Sequence, residues 1–128
     1  MLPIAFGMLH PDDEIFKSTI QKLRNELNSG FGITSISQRD PQYLTSGAYW
    51  RGPVWININF LFLRGLFLYY KTETELYRKL RADIIQTVCG YEEKKGYFFE
   101  NYIQGKGSFS YPFTGWTALI SVIVRENY

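Results

Sequence analysis

Gly52-Pro53-Val54-Trp55-Ile56-Asn57-Ile58-Asn59-Phe60-Leu61-Phe62-Leu63-Arg64-Gly65-Leu66-Phe67-Leu68-Tyr69-Tyr70 is the stretch that decides the fold class. Pro53 after Gly52 stands where a first helical residue belongs, because its ring presets φ and the N–H it lacks has no helical use there. From Val54 to Tyr70 the chain is apolar around most of a helical circumference, the pattern of a helix buried on nearly all sides. A bilayer span needs ~20 largely apolar residues, and this run is shorter and carries Asn57, Asn59 and Arg64. A central Arg alone costs at least ~2.5 kcal/mol on insertion scales. The segment predicts one buried helix starting at Pro53, without membrane contact. Gly65 weakens that helix by about 1 kcal/mol relative to Ala without ending it.

Working outward, Phe16, Ile20, Leu23 and Leu27 form a single stripe and predict a helix from about Glu14 to Asn28. Asp12 or Asp13 supplies its cap, and Asn28-Ser29-Gly30 its stop. Phe31 to Gly52 loses periodicity and reads as a long loop, a length more often functional than idle. Thr72 and Glu75 form a capping box for a helix whose stripe is Leu76 (or Tyr77), Leu80, Ile84 and Val88, ended by Gly90. Glu92 to Gly96 is a polar turn, Tyr97 to Tyr102 has strand-like composition, and Gly105 to Ser110 is a glycine-serine loop. A last helix runs from about Thr114 to Arg125. The expectation is an all-α chain of about four helices with long loops and one short extended segment. Two of its helices are too apolar to find all their partners within the chain, which suggests an oligomer or a piece of a larger helical domain. The abrupt start at Met1-Leu2-Pro3 fits a piece.

The length of 128 residues is that of one domain. Hydrophobic residues make up 45% and charged residues 20%, a globular balance. A net charge of +2 with no dense basic block argues against nucleic acid as a partner. One cysteine, Cys89, excludes an internal disulfide or a Cys-rich metal site, and a lone His10 excludes a histidine cluster. Met1 to Gly7 lacks the basic region and the long apolar run of a signal peptide.

Carboxylates and aromatics remain as chemical resources, with 10 Tyr, 10 Phe and 3 Trp. Sugar faces pack on rings while sugar hydroxyls need fixed donors and acceptors, so aromatic segments with a few polar groups are candidate carbohydrate sites. Tyr49-Trp50-Arg51-Gly52-Pro53-Val54-Trp55 has that character, as does Tyr97-Phe98-Phe99-Glu100-Asn101-Tyr102, with one carboxylate among four rings. Aromatic segments of helical proteins are more often simply core.

The motif from Tyr49 to Asn59, YWRGPVWININ, resembles the signature of the glycoside hydrolase family 63 catalytic domain. Gly96 to Tyr102 is similar to the family's G-[YF]-[LF]-[WF]-E-[QN]-Y segment, and Pro112 to Leu119 to its F-x-G-W-[TS]-[SA]-L stretch. Phe31-Gly32-Ile33 with Ser35-Ile36-Ser37 resembles its FGLRSL-type loop. The blocks keep the family's order, and residues 1–128 together match the C-terminal part of that domain.

The resemblance implies part of an (α/α)6 toroid, two rings of helices whose loops meet at a central pocket. It also implies hydrolysis, with inversion, of the terminal α-1,2-linked glucose of a glucosylated high-mannose glycan in the endoplasmic reticulum lumen, as part of a membrane-anchored protein. Inversion needs two carboxyl groups ~6.5–9.5 Å apart, so that a water fits between the base and the sugar. By motif, Glu100 matches the general base. The general acid is an Asp well upstream of YWRG, for which this chain has no counterpart, so the chain alone is expected to be inactive. Trp50 and Trp55 are candidate walls of the glucose pocket, with Tyr49 beside them. Arg51 is placed to donate to sugar hydroxyls or to hold a carboxylate. Trp116 caps the pocket, and Gly115 permits close approach of backbone. The implied partners are an oligosaccharide and the rest of the toroid upstream of Met1; no cofactor is implied. Two rivals remain: a non-catalytic carbohydrate-binding or helical interaction module, and a related hydrolase with a different α-glucoside substrate.

Overall fold

A computed structural model describes residues 2–45, 49–90 and 96–126. The described residues are mostly helical. They comprise α1 (Leu2–Ala5), α2 (Glu14–Lys22), α3 (Ile56–Leu68), α4 (Tyr70–Cys89), the strands β1 (Asn101–Ile103) and β2 (Lys106–Ser108), and α5 (Ile120–Arg125). No helix among them is long and apolar enough to cross a membrane.

α3 is the axis of the packing, touched by α1, by α4, and by α5 with the 3-10 turn Trp116–Leu119 that precedes it. Its apolar circumference is thus covered on several sides, and Phe62, Leu63 and Leu66 lie in the core. Gly65 has a packing reason: a Cβ there would stand 2.5 Å from Ala5 Cα and 2.6 Å from the Ile4 carbonyl oxygen. Only a glycine lets α1 lie directly on the α3 backbone. The stripes also hold: Phe16, Ile20, Leu23 and Leu27 are buried, as are Leu76, Tyr77, Leu80, Ile84 and Val88.

The boundaries differ in instructive ways. α3 starts at Ile56, not Pro53, because Val54 is held extended: its N–H donates to the Tyr102 carbonyl at 2.8 Å and its carbonyl accepts from Tyr102 N–H at 3.0 Å. Val54 also bridges Thr34 on its other side, so a three-chain patch replaces the expected first turn. α4 begins at Tyr70 with a kink at Glu73, and Thr72 Oγ1 donates to the Tyr69 carbonyl at 3.0 Å, so the expected capping box does not open the helix. Asp13 is the residue before α2, but its carboxylate accepts from the His10 N–H at 2.9 Å instead of capping the helix. α2 itself widens into a π-turn, Leu23–Leu27, before Asn28.

The expected single extended segment is a hairpin. β1 and β2 pair antiparallel around Gln104 and Gly105, both left-handed at φ 49° and 76°, as a two-residue hairpin turn requires. Tyr97 to Glu100 lie before the strand, and the glycine-serine stretch supplies β2. The last helix begins as the 3-10 turn and becomes α helix only at Ile120. Positions 92–95 of the polar turn expected at Glu92 to Gly96, and positions 46–48 of the long loop, lie outside the described residues.

Candidate active site

Glu100 sits one residue before β1, where the chain leaves the 3-10 turn's cover and enters the hairpin. Four hydrogen bonds fix its backbone and that of the two residues before it. Its N–H donates to the Ser110 carbonyl at 3.0 Å, and its own carbonyl accepts from Trp116 Nε1 at 2.8 Å. Thr117 Oγ1 donates to the Phe99 carbonyl at 2.6 Å, and Phe113 N–H to that of Phe98 at 2.8 Å. The Trp116–Leu119 turn therefore acts as a buckle on the segment that carries the carboxylate. Gly115 opens that turn, and a Cβ there would stand 2.8 Å from the Phe113 ring. The close approach at Gly115 is thus that of a ring rather than of backbone.

The Glu100 side chain is buried, with the residue 8% exposed. A buried carboxylate needs partners. Tyr49 O–H donates to Oε1, and Ser110 N–H approaches Oε2 at 3.4 Å. Among the described residues no cation pairs with it.

Tyr49 belongs to an aromatic cluster. Its ring meets Trp55 edge-on at 4.9 Å, Trp50 at 5.5 Å and Phe109 at 4.9 Å. Trp50 stacks on Trp55 at 3.9 Å, and Trp55 meets Trp116 at 5.7 Å. The Val54–Tyr102 bridge explains the convergence, since it clamps the 49–55 stretch beside the segment that carries Glu100. Within the cluster Trp55 is fully buried, whereas Trp50 is 49% exposed, leaving ring surface on which an apolar sugar face can pack. The Trp55 indole N–H is buried without a partner, as is the whole amide of Asn101.

Of the sequence-predicted residues, the structure thus brings Tyr49, Trp50, Trp55 and Trp116 into one cluster that reaches Glu100 through Tyr49 O–H and Trp116 Nε1, with Gly115 preceding Trp116. Arg51 is different. Its guanidinium donates to Gln42 Oε1 at 2.7 Å, and its carbonyl accepts from Leu44 N–H at 2.8 Å, so it ties the long loop to itself and not to the carboxylate. Gly52 at φ 134° turns the chain behind it and donates its N–H to Ser35 Oγ at 2.9 Å. Phe109, Ser110 and Thr117 contribute without having been singled out from the sequence. Ser110 acts through its backbone, which no side-chain pattern reveals.

The glycosyl hydrolase family 63 C-terminal domain matches residues 1–126. The chain is 36% identical, over its full length, to a Schizosaccharomyces pombe protein described as "Probable mannosyl-oligosaccharide glucosidase". It is 30% identical over 98% of its length to a mannosyl-oligosaccharide glucosidase of Arabidopsis thaliana. It is also 37% identical over 69% of its length to a mannosylglycerate hydrolase of Selaginella moellendorffii. The matched region is 17% of each of these three relatives. The chain belongs to glycosyl hydrolase family 63, as part of its C-terminal domain.

Proposed function

We infer that residues 1–128 are one part of the catalytic domain of an inverting α-glucosidase, which removes the terminal α-1,2-linked glucose from glucosylated high-mannose N-glycan precursors. The domain is an (α/α)6 toroid, completed by polypeptide preceding Met1, and works in the endoplasmic reticulum lumen as part of a membrane-anchored protein. Glu100 is the general base. The observation that carries this reading is the buried Glu100 carboxylate, hydrogen-bonded through both oxygens beside an aromatic cluster, in a chain of family 63. An ionised carboxylate so held accepts a proton from a water poised against the anomeric carbon, while an Asp outside this chain protonates the leaving oxygen. Trp50 offers the exposed wall of the glucose pocket, Trp55 and Trp116 back it, and Arg51 shapes the loop that carries Trp50.

A non-catalytic sugar-binding or interaction module would leave Glu100 incidental, and a surface position would serve it equally well. The burial of that carboxylate weighs against such a module. A second reading keeps the chemistry and changes the substrate, and the 37% identity to the mannosylglycerate hydrolase favours it.

The test is glucose release from a triglucosylated glycan by the whole polypeptide that carries this chain, beside Glu100→Gln. Loss of a general base is expected to lower turnover by roughly 10²–10⁴-fold. The 128-residue chain alone is expected to release none, since an alkoxide leaving group then departs without a proton donor. Parental turnover in Glu100→Gln overturns the assignment of the base. Turnover of a small glycoside but not of the glycan selects the second reading.

A further inference from the structure

We propose that Tyr49 is a positioning residue, not a sugar-stacking wall: its phenol holds one oxygen of Glu100 so that the other lone pairs of the carboxylate address the attacking water. The inference rests on the reading of Glu100 as the base. A glutamate side chain has three rotatable bonds, and ordering such a chain costs conformational entropy. A base must nevertheless stand within ~2.6–3.2 Å of the proton it takes, and a misplacement of about 1 Å costs on the order of 10²-fold in rate. Something must therefore fix the carboxylate.

The fixing groups are the Tyr49 O–H on Oε1 and the Ser110 N–H, at 3.4 Å, on Oε2. An ionised carboxylate has about four acceptor positions, so these two donors orient the group and leave acceptor capacity for a water. Tyr49 is itself locked, as a supporting residue must be. Edge contacts engage its ring with three others, Trp55, Trp50 and Phe109, which competes with any sugar face. Trp50, half-exposed on the outside of its stack, is better placed for that.

Phe109 supplies an independent sign that the arrangement is built. It adopts φ 60°, a left-handed conformation that is unusual for a bulky residue, and the residue is 52% exposed. Such strain persists only where surrounding contacts over-determine it. Here the bend does two things at once. It lays the Phe109 ring against Tyr49, and it turns the next residue, Ser110, so that its N–H and carbonyl both reach Glu100.

In the step itself the water oxygen bonds to the anomeric carbon while the bond to the leaving oxygen breaks and carries away its electron pair. The leaving oxygen takes a proton from the acid, and the water's proton passes to Glu100. Tyr49 keeps its own proton throughout.

The experiment is Tyr49→Phe in the whole polypeptide, with Glu100→Gln as reference, on the triglucosylated glycan and on α-glucosyl fluoride. Fluoride departs without a proton, so this second substrate dispenses with the acid and isolates the base. The Phe ring keeps every aromatic contact and removes only the donor. The expected result is a fall in kcat of roughly 10- to 100-fold on both substrates. KM should stay within about twofold, because no sugar contact is lost, while the thermal midpoint falls modestly, because the buried Glu100 carboxylate loses one of its donors. Four outcomes overturn the proposal: parental kcat, a raised KM with kcat kept, a defect that vanishes on the fluoride, or failure of the Phe variant to fold. Parental turnover in Glu100→Gln is distinct, because it removes the base reading itself.

Discussion

The α2–α3–α4 packing and the layer around Glu100 draw on the same kinds of apolar residue but treat backbone and polar groups differently. In the helices each backbone bond closes within a few residues, and the buried stripes are almost purely apolar. Around Glu100 the decisive bonds join residues far apart: Tyr49 to Glu100, Ile33 to Asn59, Val54 to Tyr102. All three non-glycine residues with left-handed backbone among the described residues, Leu44, Gln104 and Phe109, lie on this side. So does Asn101, whose buried amide has no partner. Regular packing tolerates little of this, whereas a site that must aim particular atoms accumulates it. The difference marks out which half of the chain supports and which half acts.

The most direct way to break that division is at the residue joining the two halves. Asn59, on α3 and fully buried, accepts from Ile33 N–H at 2.7 Å and donates Nδ2 to the Ile33 carbonyl at 3.0 Å and to the Trp55 carbonyl at 2.8 Å. One amide thus reproduces a missing strand partner for the long loop. Asn59→Leu keeps the volume and orphans the Ile33 N–H and carbonyl. Each buried unpaired group costs about 1–3 kcal/mol, so a loss of about 3–5 kcal/mol is expected in chemical denaturation of the whole polypeptide. A loss below about 1 kcal/mol would mean that the loop is held by other contacts and that the two halves are not joined here.

Gly65→Ala probes the supporting half alone. In an open helix the change gains about 1 kcal/mol, but here the new methyl meets the α1 backbone at 2.5 Å. Overpacking against backbone typically costs ~1–3 kcal/mol, so a net loss of up to about 2 kcal/mol is expected, with kcat unchanged. A gain in stability would show that α1 is free to move and is not part of the core.

The same division explains what the sequence makes legible. The helical stripes are local, and periodicity alone locates Phe16, Ile20, Leu80 and Ile84 correctly. Pro53 misleads because the competing interaction, the pairing of Val54 with Tyr102, lies 48 residues away and beats a favourable first turn. The hairpin is missed because its strands are three residues long: β1 overlaps the strand-like Tyr97 to Tyr102, whereas β2 reads as glycine-serine loop. The family motif places Tyr49, Trp50, Trp55 and Glu100 in one region, yet it carries no information on rotamers. Arg51 turns to Gln42, and Tyr49 to the carboxylate, for reasons set by loop conformation.

The smallest expected effect tests whether the acting half is as dry as its burial suggests. Tyr102 is fully buried on β1, and its hydroxyl accepts from Phe99 N–H at 3.3 Å. Burial pushes the phenol above its ordinary value; the Phe99 hydrogen bond opposes this, and the nearby Cys89 adds to it. Its ordinary value is about 10, so above that pH the unfolded chain loses this proton while the folded chain keeps it. The folded state then binds more protons, and stability falls as pH rises. The contribution is fully present below about pH 10 and is lost as pH climbs through the raised folded value. Tyr102→Phe removes the titrating group and, with it, the hydroxyl that accepts from Phe99 N–H, a cost of about 1 kcal/mol at neutral pH. The parent should therefore be more stable than the variant at pH 7, and the gap should narrow between pH 10 and 11. Thermal midpoints of the two proteins at pH 7 and pH 10.5 measure it, with the other tyrosines and lysines cancelling in the difference. A gap that is constant or widens would mean that water reaches the Tyr102 hydroxyl, and that the layer beneath Glu100 is wetter than the helical packing it rests on.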